Sequence, residues 1–153
     1  MNKYIIIVIS ALCLCSCKSL TDYSFLTVMT IKNDSSHTVT VETDTKYFGG
    51  YYHDSPLNAT ILSGSSYSAQ KIIPYTPGLP INFIGDRCII TFDDNIKVAH
   101  SHKTWDKLIE HNMCDVESYT LNKSKDDSKH EYIYTFTDED YERAVAANAD
   151  SEE

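Results

Sequence analysis

Short segments in which apolar and polar residues alternate, separated by turn-forming clusters, constrain the fold of this chain most. The clearest lies at 37–43, where Val39 and Val41 alternate with threonines and would share one face of a strand. The segment before it, 25–32, is also rich in β-branched residues, and 33–36 between them has the composition of a turn. The two segments are therefore predicted to form a hairpin.

The same pattern recurs at a spacing of about 8–12 residues. Thr137 and Asp140 have the spacing of a capping box and predict a short terminal helix with Tyr141, Ala144 and Val145 as its apolar stripe. Together these features predict an all-β fold, an antiparallel β-sandwich (Ig-like or transthyretin-like) of about eight strands with a short C-terminal helix. Further strands are predicted at 59–62, 67–73, 81–84, 88–92, 96–99, 116–121 and 131–137.

The N-terminal segment has a different pattern. Residues 5–14 are apolar except for Ser10. Ten helical residues span about 15 Å, half of a bilayer core, so this run suits the h-region of a signal peptide and is too short for a transmembrane helix. The segment is therefore predicted to direct export.

Three cysteines end this run, and only one has suitable neighbours for processing. Cys13 and Cys15 follow leucines, whereas Cys17 follows the small Ser16, with Leu14 three positions before it. The arrangement resembles the lipobox of bacterial lipoproteins, in which a signal peptidase cuts before the cysteine and the thiol receives lipid. Cys17 is the predicted lipidation site.

The lipobox resemblance, together with the strand and helix pattern, implies a division of the chain. Residues 1–16 would be the signal peptide, 17–24 a lipidated tether, 25–147 the sandwich domain with its helix, and 148–153 a disordered tail. The implied diacylglyceryl group on Cys17 would hold the protein stably on a membrane, because two or more acyl chains bind far more tightly than one. Lys18, where an aspartate would favour the inner membrane, points to the outer membrane.

Net charge narrows the class of partner. The 153-residue chain has 13 basic and 22 acidic residues, and Lys3 is the only charged residue among the first 16. The processed chain would thus have 12 basic against 22 acidic residues, a net charge of −10. So acidic a domain is not expected to bind nucleic acid.

Removal of the signal peptide and lipidation of Cys17 would leave two thiols, Cys88 and Cys114. An even number of cysteines in an oxidising compartment is compatible with a disulfide. That bond would close a loop of about 26 residues and contribute about 3.5 kcal/mol in the chain-entropy model. Both lie in apolar-patterned segments, so the alternative is that they are buried free thiols.

Aromatic residues around a glycine pair at 47–53 form the candidate ligand surface. It comprises Tyr47, Tyr51, Tyr52 and His53, with Tyr75 and Trp105 as further candidate members. Tyrosines on loops offer flat apolar faces with a polar tip, which suits glycan or protein partners. Alternatively, about half of these rings fill the core and the glycines form a bulge.

His100 and His102 are weak candidates for metal ligands. Residues i and i+2 of a strand share a face, and His111, Cys114 or Asp93 could complete a set, but none has a diagnostic spacing. No metal site and no cofactor are therefore predicted.

The sequence also lacks the local motifs of common hydrolases and phosphate-binding loops. Cys114 near His111 is the one cysteine–histidine pair to consider for nucleophilic catalysis. The predicted role is non-enzymatic, as an interaction or structural protein of the cell envelope. The alternative is a glycan- or ion-binding accessory module that uses residues 47–53. A pocket formed by His100, His102 and an acid would instead favour an enzyme.

Several segments together resemble a known group. The lipobox is followed by Asn-Asp-Ser-Ser-x-Thr-Val-Thr-Val at 33–41, Ile-Thr-Phe-Asp-Asp at 90–94 and Tyr-Thr-Phe-Thr-Asp-Glu-Asp-Tyr-Glu-Arg-Ala at 134–144. This combination is similar to small lipoproteins of Bacteroidetes. The resemblance implies fold and location but no catalytic residues. Residues 18–22 contain a single acid, whereas surface-exported members often have an acidic cluster there, so the side of the membrane stays open.

Overall fold

The computed structural model describes residues 24–43, 57–102 and 110–149. Within these ranges no helix is both long and apolar enough to cross a bilayer. The described helices are α1 (Ile81–Ile84), α2 (Asp138–Ala149) and a 3-10 helix (Val116–Ser118). The described strands are β1 (Ser24–Asn33), β2 (Val39–Thr43), β3 (Asn58–Ile61), β4 (Ser66–Pro74), β5 (Arg87–Phe92), β6 (Ile96–Ser101), β7 (Thr120–Lys123) and β8 (Lys129–Phe136).

The strands form two four-stranded sheets, which confirms the predicted β-sandwich with a C-terminal helix. Sheet A has the order β4-β1-β8-β7 and sheet B the order β3-β2-β5-β6. Five of the pairings are antiparallel, but β1 and β8 run parallel, from Leu26 opposite Lys129 to Asn33 opposite Phe136. These two strands are far apart in the chain, so no hairpin turn sets their relative direction.

The core lies between the sheets and follows the alternation seen in the sequence. In β8 every second side chain is buried, and Tyr134 and Phe136 are completely so. Val39 and Val41 of β2 are also fully buried. The ring centroids of Phe92 and Phe136 lie 5.9 Å apart in an edge-to-face contact that joins the two sheets.

The predicted strand at 81–84 is instead helix α1. Pro80 has helical dihedral angles, φ −51° and ψ −35°, and its carbonyl accepts hydrogen bonds from the amides of Phe83 and Ile84. The side chain of Asn82 accepts a hydrogen bond from the Leu79 amide at 2.7 Å. A four-residue run with three apolar side chains suits a helical turn as well as a strand, and the proline before it favours the turn.

The predicted strand at 116–121 is also different, because a 3-10 turn takes up its first half. Asp115 accepts a hydrogen bond from the Glu117 amide at 3.1 Å, which caps this turn, and β7 starts only at Thr120. Leu121 is 40% exposed. A local side-chain cap therefore prevails over the strand pattern at this point.

Helix α2 starts where the sequence predicts. The amide of Thr137 donates to the Asp140 carboxylate at 2.8 Å, as in a capping box. Of the predicted stripe, Ala144 is buried, but Val145 is 38% exposed. The helix continues to Ala149, past the predicted end of the domain, and the Asn148 side chain donates to the carbonyl of Lys97 at 2.8 Å.

The first two strands define the two ends of the sandwich. Residues 34–38 join the end of β1 to the start of β2, so Ser24 and Thr43 both lie toward the opposite end. Ser24 pairs with Pro74, and the Thr43 amide donates to the carbonyl of Leu57 at 2.9 Å. We call this the tether end, because it is where the chain joins residues 1–23.

Candidate functional site

A pocket of about 340 Å³ lies between α2 and β6, the edge strand of sheet B. Its helical side is formed by residues with spacings of three and four, which share one face of α2. On β6, Val98 and His100 are two residues apart and share the inward face. Its apolar lining comprises Phe92, Val98, Phe136, Ala144 and Ala147, and its polar lining comprises His100, Glu110, His111, Asp140 and Arg143.

Asp140 is the centre of the polar side. One carboxylate oxygen is 2.8 Å from Nδ1 of His111 and 2.6 Å from a guanidinium nitrogen of Arg143. The other oxygen accepts from the amide of Thr137. Burial alone would raise the pKa of Asp140, but the hydrogen bonds from His111, Thr137 and Arg143 outweigh it and bring the pKa below its usual value. Asp140 is therefore ionised at neutral pH, and both of its carboxylate oxygens accept hydrogen bonds.

Asp140 and the core together fix the position of His111. The ring of His111 stacks on Tyr134 with centroids 4.4 Å apart, and its backbone carbonyl accepts a hydrogen bond from the Tyr134 hydroxyl at 2.6 Å. Its backbone is left-handed, with φ 60°, a conformation uncommon for residues other than glycine. Such contacts on both ring and backbone hold His111 in one orientation.

His100 supplies a polar group in the pocket wall. The residue is 5% exposed, and its Nδ1 accepts a hydrogen bond from the Met113 amide at 2.9 Å. Burial lowers its pKa to about 4, against the opposing attraction of Asp140, so the ring is neutral at pH 7. With Nδ1 as acceptor, the proton is on Nε2. This Nε2–H has no hydrogen-bond partner in the part of the chain that the structure describes.

The two weak metal-ligand candidates do not come together in this pocket. His100 lines it, whereas His102 is exposed and is not among the lining residues. His111 and Asp140 occupy the place that the sequence hypothesis gave to His102 and an unspecified acid. Across the described ranges, no three His, Cys, Asp or Glu side chains form a group that could hold a metal ion.

Asp140 and Arg143 were not singled out as site residues from the sequence. Asp140 was explained by the start of the helix, which the structure confirms, but it also binds His111. Their spacing with Ala144 and Ala147 indicates a common helix face. That this face lies over β6 depends on tertiary packing, which the local pattern does not show.

The main sequence-predicted ligand surface and the lipidation site lie outside the described residues. These are Cys17, Tyr47, Tyr51, Tyr52, His53 and Trp105. Tyr75 is described: it follows β4 directly, is 70% exposed and has φ 67°. An exposed ring at Tyr75 agrees with a surface position rather than a core position for this one member.

The structure brings Cys88 and Cys114 together as buried thiols. Their Sγ atoms are 4.0 Å apart, about 2 Å farther than in a disulfide. The contact with Cys114 and burial raise the pKa of Cys88 well above its usual value. A bridge would need a further approach of the two sulfurs, and it stays a prediction. Intact mass before and after reduction tests it, because reduction of a bridge adds two hydrogens.

Comparisons with protein-family models, with curated proteins and with solved structures find no match for this chain.

Proposed function

We propose that this protein is a lipid-anchored component of the bacterial cell envelope, attached through Cys17, whose β-sandwich has a non-enzymatic binding or structural role. The proposed location is the outer membrane. The observation that carries the anchoring proposal is the short distance in sequence between Cys17 and the fold. Strand β1 begins at Ser24, seven residues after Cys17. Even when fully extended, seven residues reach only about 25 Å. The sandwich would therefore lie close to the bilayer surface.

Exposed apolar side chains at the tether end support this orientation. Leu26 and Ile72 are paired across β1 and β4, and Ile72 is 74% exposed. Tyr75, which is 70% exposed, lies just beyond the pairing of Ser24 with Pro74. Tyrosine and aliphatic side chains suit the interface between water and lipid headgroups.

The polar groups of the pocket favour binding over turnover. Asp140 already accepts hydrogen bonds from His111, Thr137 and Arg143. His111 is held by Asp140 and by Tyr134. Groups held in this way position a bound molecule well, whereas the described pocket lining includes no serine, threonine or cysteine that could act as a nucleophile.

Acylation of the full chain tests the anchor. We expect the protein expressed in a bacterium to fractionate with membranes, with an N-terminal peptide that begins at an acylated Cys17. Cys17→Ser should remove the acyl mass and the membrane association, while Cys15→Ser, two residues away, should leave both unchanged. An unacylated mature chain would overturn the proposal. Protease treatment of intact cells would then distinguish the outer from the periplasmic face.

A second candidate function is glycan or ion binding through residues 47–53. The observation in its favour is that Thr43 and Leu57 are hydrogen-bonded, which holds both ends of the intervening segment at the tether end, the end at which Tyr75 is exposed. A glycan and peptide array would test it with a Tyr51→Ala and Tyr52→Ala double variant. Leu62→Ala, a change at an exposed apolar residue toward the other end, is the control. Ligands that bind the double variant unchanged would exclude this surface.

A further inference from the structure

We infer that the pocket between α2 and β6 binds a small, uncharged organic ligand with a mainly apolar body and one hydrogen-bond acceptor, which takes the Nε2–H of His100. The inference rests on the proposed binding role and gives it a ligand class. It does not depend on the lipid anchor.

The volume and lining of the pocket set the size and polarity of the ligand. A volume of about 340 Å³ lies within the usual range of small-molecule sites, roughly 300–1,000 Å³. The rings of Phe92 and Phe136, with Val98, Ala144 and Ala147, form an apolar wall. Most of the binding free energy would come from apolar surface removed from water, which requires an apolar body.

His100 supplies the specific contact. Its Nδ1 already accepts a hydrogen bond from the Met113 amide, and a flip of the ring would break that bond. The remaining Nε2–H is a donor in a residue only 5% exposed, without a partner in the described part of the chain. A carbonyl or ether oxygen of the ligand would accept a hydrogen bond from this nitrogen in place of water and so give the ligand one orientation.

The charges around the pocket favour an uncharged ligand. The guanidinium of Arg143 is 2.6 Å from Asp140 and is therefore already paired. Glu110, another lining residue, adds negative charge. An anion would compete with Asp140 for Arg143 and be repelled by Glu110, while the apolar wall would desolvate a charge of either sign. An uncharged ligand can accept a hydrogen bond from the neutral His100 without electrostatic repulsion and without the desolvation of a charge.

Prodan is a suitable probe, because it is an uncharged naphthalene with a single ketone oxygen. Binding would be measured by fluorescence on the acylated full chain in nanodiscs, with matched empty nanodiscs as the blank. We expect saturable binding that Ala147→Phe weakens at least tenfold, because the new ring fills the pocket. Ala146→Phe adds the same ring at an exposed position outside the lining, and it should change the affinity less than twofold.

A second variant tests the hydrogen bond separately from the volume. His100→Asn keeps an acceptor near the Met113 amide but removes the Nε2–H. It should weaken prodan about fivefold to tenfold, and it should leave 2-dimethylaminonaphthalene, which lacks the ketone, within twofold. Equal losses for both probes would overturn the role of His100.

Two further outcomes would overturn the pocket itself. One is no saturable binding of prodan by the wild-type chain, and the other is equal affinity in wild type and Ala147→Phe. Thermal unfolding of each variant confirms that it is folded. If Cys17 proves to be unacylated, the same variants are measured in buffer, so the anchor and the pocket can fail independently.

Discussion

The turn between β1 and β2 and the pocket between α2 and β6 both contain buried polar side chains, but they differ in how completely these side chains are hydrogen-bonded. At the turn, Asn33 is fully buried, and its side-chain amide donates to the carbonyls of His37 and Ile61 at 2.7 and 2.8 Å. Its oxygen accepts from both the amide and the hydroxyl of Ser35. In the pocket, by contrast, His100 has one ring nitrogen paired and one unpaired within the described residues.

A histidine–carboxylate pair occurs in both regions, so such a pair does not by itself mark a functional site. His37 contacts Asp93 at the turn and stacks on Tyr141, with ring centroids 3.6 Å apart. His111 contacts Asp140 beside the pocket. The pocket differs from the turn in two respects: it has open space next to the pair, and the Nε2–H of His100 in its wall has no partner among the described residues.

Asn33→Ala should have the largest effect and would show how much the fully paired turn contributes. It removes four hydrogen bonds, including those to the carbonyls of His37 and Ile61, so we expect a loss of about 4 kcal/mol in the free energy of unfolding, at about 1 kcal/mol for each bond. Urea denaturation at pH 7 measures it. Asn122→Ala, on the exposed strand β7, is the control and should change little. A loss below about 1 kcal/mol for Asn33→Ala would mean that the turn is not a stabilising element.

The loss of stability at acid pH should be the next largest effect. It tests whether His100 in the pocket wall is buried as a neutral ring. His100 has a pKa of about 4 in the folded state and about 6.5 when unfolded, so below pH 6.5 the unfolded chain binds the extra proton. The contribution of the neutral His100 ring to the free energy of unfolding is therefore fully present above pH 6.5 and is lost as the pH falls toward 4. We expect about 2 kcal/mol to be lost by pH 5 and about 3 kcal/mol in full.

Urea denaturation of wild type and His100→Asn at pH 7 and pH 5 isolates this effect, because other titrating groups are common to both chains. The wild type should lose more stability over this interval than the variant. The same loss in both chains would show that His100 is not a buried neutral ring.

Tyr134→Phe tests the support of His111. The hydroxyl of Tyr134 donates to the carbonyl of His111 at 2.6 Å, and its removal leaves that carbonyl without this donor. We expect a loss of about 1–2 kcal/mol, measured by urea denaturation. Tyr75→Phe removes the same group from an exposed ring and should have no measurable effect. Equal values for the two variants would contradict a supporting role for Tyr134.

Val145→Ala should have the smallest effect and compares the back of α2 with its pocket face. Val145 is 38% exposed, so we expect a change below about 0.5 kcal/mol in thermal or urea unfolding. A loss above about 1 kcal/mol would show that Val145 packs as a member of the apolar stripe that the sequence predicts.

The sequence predicted the parts of the fold that depend on local periodicity. The alternation at Val39 and Val41 and at Tyr132, Tyr134 and Phe136 gave the correct buried faces. The spacing of Thr137 and Asp140 gave the start of α2. In each case neighbouring residues contain the information, because period two and helix capping are local properties.

The parts that the sequence did not predict depend on contacts between distant segments or on short, ambiguous runs. Residues 81–84 are apolar except for Asn82, and so short a run fits a strand or a helical turn equally well. The pocket combines residues from β5, β6, β8 and α2, so it exists only after the sheets and helix have packed. The proximity of His111 to Asp140, 29 positions apart, is of the same kind.

The parallel pairing of β1 with β8 has a consequence for the order in which the sheets form as the chain is synthesised. The interior strand β1 gains one neighbour only when residues 129–136, near the C-terminus, are available. Contacts between segments so distant in sequence form slowly, because a long loop must close first. A chain that emerges N-terminus first therefore cannot complete sheet A until residues 129–136 have been synthesised. Until then, β1 lacks the neighbour that makes it an interior strand of sheet A.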